Sequence, residues 1–405
     1  MLEVMTRRRV LALPAWMLRT RAYDRYGGVR ALAGRRTGWF HVERIGGRWF
    51  FVTPDGGAFF SLGVTHAGEC VRRDERNLFE TRYGGNEKRL AEYFLEKFRQ
   101  WGYNSAGYGA LAAMEAKMPY VAELWTEGPR SFAARANAPN SDIFDPAVAE
   151  RLRRKIREVA AVHRRNRMCL GYVLIDLPIW DPSFRDAAGN GSYLDFLRGL
   201  PDGAAGKRAV LGFPPGSEEE LINRVANAYY KLVTGELRKS DPNHLVLGDR
   251  LMALPERTPD SIVVTAGRYV DVIAFQPMGT RTPLREYIDR VHGLTGKPVL
   301  LADVNTMTSR PAKDQADTTE YERSAGEHTL AYYLDAAASK ACVGLHRCTV
   351  RDYLPWNPRY FRRGLLRADD SPYPILAEYT ARTNREVYEL VYGTAESGHL
   401  EPHVR

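Results

Sequence analysis

Two hydrophobic periods alternate along the chain. From Trp39 the run WFHVERIGGRWFFVTPDGGAFFSLGVTHAG interleaves aromatic and polar residues, with breaks at Gly46-Gly47 and Pro54-Asp55-Gly56-Gly57. Glycines at such breaks supply the positive φ that tight turns need, so two antiparallel strands are predicted, leading into a third, buried one, FFSLGVTH. The period then lengthens. Leu90, Phe94, Phe98 and Trp101 fall on one helical face, followed by GYNSAGYG as a short strand and turn, and by PYVAELW as the next strand. Asp145-Pro146 opens a helix, since aspartate accepts the free amide hydrogens of a first turn and proline tolerates that turn. Val148, Leu152, Ile156 and Val159 form its apolar stripe. CLGYVLIDLPIW is a continuous apolar run, as expected of a parallel strand covered on both faces.

Residues 181–216 carry glycine, proline and no sustained period, which predicts a long binding loop or lid. Ser217 and Glu220 form a capping box, and Leu221, Val225, Tyr229 and Leu232 mark the helix it starts. Four further strands are predicted, HLVLGD, YVDVIAFQP, KPVLLADV and CVGLHRCTV, with helices near 283–294 and 320–340 and a final one near 374–391. About eight buried strands alternating with helices or loops predict an α/β fold, a (β/α)8 TIM barrel with an N-terminal β-hairpin extension. The expected organisation is a segment 1–21, an extension and hairpin over 22–62 leading into the first barrel strand, a barrel over 58–392, and a loose tail over 393–405. A doubly wound open sheet would alternate similarly, but no GxGxxG or GKS/T follows a strand, so nucleotide binding has no support.

Composition narrows the function classes. The chain has 405 residues, 44% of them hydrophobic and 26% charged, ordinary values for a globular protein. A net charge of +9 admits an acidic partner. The arginines are nevertheless dispersed among acids, without an RNP, zinc-finger or helix-turn-helix pattern, so nucleic acid is not expected. Cys70, Cys169, Cys342 and Cys348 are too scattered for a disulfide framework or a CxxC site. No run approaches the ~18 apolar residues of a membrane span. The start, MTRRRVLALPAWML, places consecutive arginines before a short apolar run, the pattern of a degenerate export signal to the periplasm or extracellular space. Oligomeric state is not readable from these features.

In a (β/α)8 barrel, functional groups sit where each strand ends. Those positions hold His66, Asn104, Glu123, Asp176, Asp249-Arg250, Gln276, Asp303 and His346-Arg347. Any one of them alone is equally well explained as a satisfied strand-end group. Asp176 and Asp303 fall on the fourth and seventh barrel strands, across the mouth from one another, where paired acids can flank a glycosidic bond. Arg250, Arg347 and Arg351 match the forked geometry of sulfate or carboxylate oxygens, or else pair with neighbouring aspartates. Trp180 and Trp356 lie on the loops after the fourth and eighth strands and offer stacking faces for sugars; core tryptophans are the alternative. His66 and His346 can donate to hydroxyls. Without HxH or HExxH spacing no metal is expected, and without a GxSxG elbow Cys348 reads as a structural thiol.

The segments GRWFFVTPDGGAFFSLGVTH, WGYNSAGYG, DPNHLVLGDR, YVDVIAFQP, GKPVLLAD and GLLRADDSPYPILAEYTARTN, taken together over residues 22–390, resemble the β-agarase-like glycoside hydrolases. The resemblance implies a barrel enzyme that cleaves a poly- or oligosaccharide, galactan-like or anionic, without a cofactor. The pattern departs from the family at its chemistry. Retaining relatives end the fourth strand in Asn-Glu, where this chain has Asp176-Leu177, and the seventh-strand glutamate is matched by Asp303. Shorter side chains on both walls favour the ~6.5–9.5 Å gap of an inverting pair over the ~5–5.5 Å gap of a retaining one. The expectation is therefore an inverting hydrolase in which Asp176 and Asp303 divide acid and base roles. Glu123 and Asp249 stand as substitutes. A non-catalytic carbohydrate-binding barrel is the alternative, and a lyase acting on uronate polymers is neither indicated nor excluded.

Overall fold

The computed structural model describes residues 22–393, apart from 73–75, 132–139, 187–188, 254–256, 278–282, 305–316 and 353–363. The N-terminal segment, the tail and Trp356 lie outside these described residues.

The expected barrel is present. Strands β5 (Ser61–Val64), β6 (Ser105–Ala106), β7 (Tyr120–Glu123), β8 (Cys169–Asp176), β9 (Leu245–Met252), β10 (Ile273–Gln276), β11 (Val299–Val304) and β12 (Cys342–Arg347) close in sequence order. Every neighbouring pair is parallel, including β12 with β5. All residues of β8 and β9 are buried, which is why CLGYVLID reads as unbroken apolar sequence. The capping signals set real helix starts. Asp145 accepts from the amides of Ala147 and Val148, and Ser217 and Glu220 cap the Glu218–Ser240 helix reciprocally.

Two elements differ from expectation. The run FFSLGVTH is cut at Phe60, so Gly57–Phe59 (β4) belongs to a separate antiparallel sheet with β1 (Val29–Ala33), β2 (His41–Ile45) and β3 (Arg48–Val52), in the order β1-β4-β3-β2. The extension is thus four strands rather than one hairpin. The 181–216 loop contains two short helices, Tyr193–Arg198 and Ala205–Leu211. The first is fixed by a Ser192–Asp195 capping box and by burial of Leu194 and Leu197, a pattern too short to register as a period.

The small sheet closes the amino ends of the barrel strands. Phe40, Phe51 and Phe59 pack with Val121, Leu170, Leu247, Val272, Leu300 and Val343 in one cluster inside the barrel. Arg48 donates to the carbonyls of Ser339 and Ala337, just before β12, and Phe50 stacks on Tyr392 of the last helix. Burial of each such phenylalanine contributes about 1.5–3 kcal/mol. A larger cluster fills the layer between barrel and helices. The opposite, carboxyl end of the barrel is left for polar side chains.

Candidate active site

Strands β5 to β11 all deliver polar groups to the mouth at or near their carboxyl ends. Asp176, from the end of β8, accepts from Gln276 Nε2 of β10 at 2.6 Å and from Arg250 Nε of β9 at 3.2 Å, both on Oδ1. Arg250 also reaches Glu123 Oε1 of β7 at 3.4 Å, and its guanidinium lies 3.7 Å from the ring centre of Tyr108. Across Tyr108 stands a second group. Its hydroxyl is 3.0 Å from His66 Nε2, which is 3.6 Å from Asp303 Oδ2, while Asp303 Oδ1 accepts from Thr65 at 2.8 Å. His66 Nδ1 meets the buried Glu69 at 3.3 Å. Each of Glu123, Asp176, Asp303 and His66 keeps 12–14% of its side chain exposed, a narrow opening to solvent.

Backbone irregularities aim these groups. In β11, Leu300 and Ala302 point to the barrel interior and Leu301 and Val304 to the helices, a change of parity that coincides with a register shift between Leu301 and Val304. The shift turns Asp303 inward. A similar shift precedes Asp176 in β8. Bulges of this kind re-aim side chains beside functional sites. His66 (φ 67°), Trp125 (φ 48°) and Leu177 (φ 45°) adopt left-handed backbone within two residues of the ends of β5, β7 and β8. For bulky residues that conformation costs energy and persists only where the surroundings enforce it.

Electrostatics separate the carboxylates. Burial raises Glu123 above the ordinary carboxylate range, and Arg250 only partly offsets it. For Asp303 burial pulls upward too, but hydrogen bonds and charge from His66, with Thr65 and Tyr108, hold it below its usual value. Burial alone would lower His66; its bonds to Asp303 and Cys348 push it up to about 10 instead. His66 is therefore an imidazolium at neutral pH.

His66, Asp303 and Cys348 present donor atoms within 4.8 Å of one another, a set of the type that holds zinc. The three sit at or just beyond the ends of three different strands, so no spacing along the chain unites them. Within the trio, His66 Nε2 faces Asp303 Oδ2 at 3.6 Å.

Several expected binding residues are placed elsewhere. Asn104 precedes β6 rather than ending it, and its amide bridges Leu62 N and Phe60 O. Asp249 faces the helices, accepting from Tyr229 and Tyr230; the positive φ of Gly248 (79°) resets the alternation, so Arg250 turns inward in its place. Arg347 likewise points outward, to Thr329. Arg351 is bound bidentately by Asp370, not by Asp352, and also donates to Cys70 O. Trp180 is fully buried against Tyr193, Tyr229 and Tyr230, so no face is open for stacking. His346 lies in the layer below the mouth, 2.8 Å from Ser61 Oγ, and burial lowers it to about 3. It is neutral, and it fits because a Cβ on Gly63 would come within 2.8 Å of its ring. Tyr108, Thr65, Glu69 and Trp125 were not anticipated. Tyr108 carried one signal, an aromatic residue flanked by glycines directly after a barrel strand.

No protein-family model matches the sequence, and no curated protein matches it. Solved structures do match. An exo-β-agarase superposes with a TM-score of 0.74 at 16% identity, over 92% of this chain and 68% of that one. Another agarase gives 0.69 at 17% identity, over 92% and 67%. A GH2 β-galacturonidase from Eisenbergiella tayi gives 0.55 at 12% identity, over 86% and 54%. At these identities the likeness is one of fold.

Proposed function

We propose that the chain is a glycoside hydrolase acting on a galactan-type poly- or oligosaccharide. One observation carries the reading: Glu123, Asp176 and Asp303, from three strands, converge on Arg250 and His66 at the single open end of a barrel. Hydrolysis of a glycosidic bond uses carboxyl groups in different electrostatic states, and Glu123 and Asp303 differ in that way. The resemblance of fold to agarases supports the substrate class.

In this reading Asp303, kept anionic by His66 and Thr65, takes the proton of the attacking water. Asp176 anchors Arg250 and Gln276, which shape the wall facing the sugar. With Asp303 as base for the attacking water, the reading takes an inverting course, in which water stands between base and acid. Among the described residues, Arg347 and Arg351 bind other protein groups and Arg250 lies between two carboxylates, which favours a neutral sugar over an anionic one in this reading. No cofactor has a part in this reading.

A second reading, a carbohydrate-binding barrel without catalysis, draws support from Leu177, which leaves the position after Asp176 without a carboxyl. Reducing-sugar release from neutral and anionic polysaccharides, measured for wild type, Asp176→Asn and Asp303→Asn, separates the two. Turnover lost in both folded variants fits the hydrolase. Binding without turnover by wild type fits the second reading. Proton NMR of the first product tests the course, and a retained anomeric configuration rejects inversion.

A further inference from the structure

The hydrolysis proposed above needs a group that arrives carrying a proton, and neither aspartate is placed to be that group. Asp176 Oδ1 is engaged as an acceptor by Gln276 and Arg250. Asp303 accepts from Thr65 on one oxygen and faces the His66 imidazolium with the other. Leu177, next after Asp176, is a buried hydrocarbon.

We propose that Glu123, at the end of β7, is the proton donor to the leaving oxygen, in an assignment that rests on the hydrolase reading. Its side chain reaches the same opening as the aspartates, with 14% exposed. It is a methylene longer than either of them. Its ion pair to Arg250 Nη1, at 3.4 Å, is long for a charge-assisted bond, which at full strength spans about 2.7–2.9 Å. Its other oxygen lies on the side of Gly109, the glycine whose Cβ would approach Oε2 at 3.7 Å. The surroundings agree with the geometry. Arg250, Asp176, His66 and Trp125 are the groups that act on Glu123, and burial outweighs the two cations among them, so the carboxyl is held protonated to higher pH than usual.

The step balances. As the bond between the anomeric carbon and the leaving oxygen breaks, its electron pair goes to that oxygen, which takes the Glu123 proton. Water forms the new bond to the anomeric carbon, and its proton passes to Asp303. Glu123 ends as a carboxylate, which the Arg250 guanidinium is positioned to stabilise, and exchange with solvent returns both groups to their starting state. Arg250 is thus a positioning residue that favours the proton-depleted state of the donor, and it is fixed in turn by Asp176.

The test compares leaving groups, using the full chain, a galactan-type oligosaccharide and a dinitrophenyl galactoside, whose leaving oxygen departs without protonation. Glu123→Gln is expected to lose about 10²–10⁴-fold in kcat/KM on the oligosaccharide. On the dinitrophenyl substrate the loss should stay below about tenfold, and the alkaline limb of the pH profile should disappear. Glu123→Asp, which keeps an acid at shorter reach, should retain that limb at reduced rate. Equal losses on both substrates, or an alkaline limb that survives Glu123→Gln, overturn the assignment. Wild-type activity on both substrates that Glu123→Gln leaves unchanged rejects Glu123 alone. A wild type inert on both rejects the hydrolase reading, and this assignment with it.

Discussion

Asp249 and Arg250 are consecutive residues of one strand, yet they belong to different regions of the molecule. Arg250 enters the mouth, where it joins Glu123 to Asp176 over the ring of Tyr108. Asp249 enters the layer behind the barrel, between two tyrosine hydroxyls and beside the buried Trp180. His346 and Arg347 divide in the same way on β12. Polarity at a strand end is therefore a poor guide to role, and the side on which a residue emerges is the better one. In the mouth a charged group meets other charges that solvent and substrate can reach. Behind the strand it meets hydroxyls that need a partner, and its work is to keep the helices in place.

This contrast predicts that mouth substitutions cost turnover and outer-layer substitutions cost stability. The largest effect is expected for Asp303→Asn, a fall of about 10³-fold or more in kcat on a galactan oligosaccharide, with thermal melting little changed. Parallel kinetics and calorimetry check it; a collapse of stability would place Asp303 with the structural groups. Next is Asp249→Ala, which strands two buried tyrosine hydroxyls and should destabilise by about 2–4 kcal/mol in urea unfolding while the folded fraction keeps its kcat. Lost turnover at full folding would return Asp249 to the site.

A third test uses pH. Burial pushes Asp249 up to about 6, against the opposing hydrogen bonds of Tyr230 and Tyr229. The folded protein then holds a proton that the unfolded chain releases between about pH 4 and 6. The stability this group contributes is thus greatest below about pH 4 and declines as pH rises to 6. Asp249→Asn should remove that decline, on the order of 1–3 kcal/mol, as read from urea midpoints across the interval. The smallest effect is expected for Arg347→Met. Exchanging a buried cation for a hydrocarbon of similar length should shift stability by no more than about 1 kcal/mol and leave kcat unchanged, because the single described bond of Arg347 is to Thr329.

Long periodic features were legible from the sequence. The Leu90–Trp101 stripe, the Asp145 and Ser217 caps and the continuous apolar run of β8 depend on neighbours within a few residues, and that is the range over which period and capping act. The barrel followed from them. The site was legible only as a set of strand ends. Reading Asn104 as one of those ends failed because β6 is two residues long and begins after it. At Asp249 the failure came from a single left-handed glycine that reverses the alternation, and at Arg351 from a partner, Asp370, that only the fold brings near. Tyr108 has ordinary surroundings in the sequence and becomes central because β6 sets it between His66 and Arg250. These are all consequences of register and long-range approach, which no local pattern encodes.

The four-stranded sheet across the amino ends of the barrel turns the scaffold into a well with one opening. With Phe40, Phe51 and Phe59 corking the far end, nothing passes through the axis. Under the hydrolase reading, a sugar chain longer than the well would lie across its rim and dip one bond inward, since it has no exit through which to thread. Every departing fragment would then leave by the door through which the substrate came, and one slow to depart would stand in the way of the next arrival.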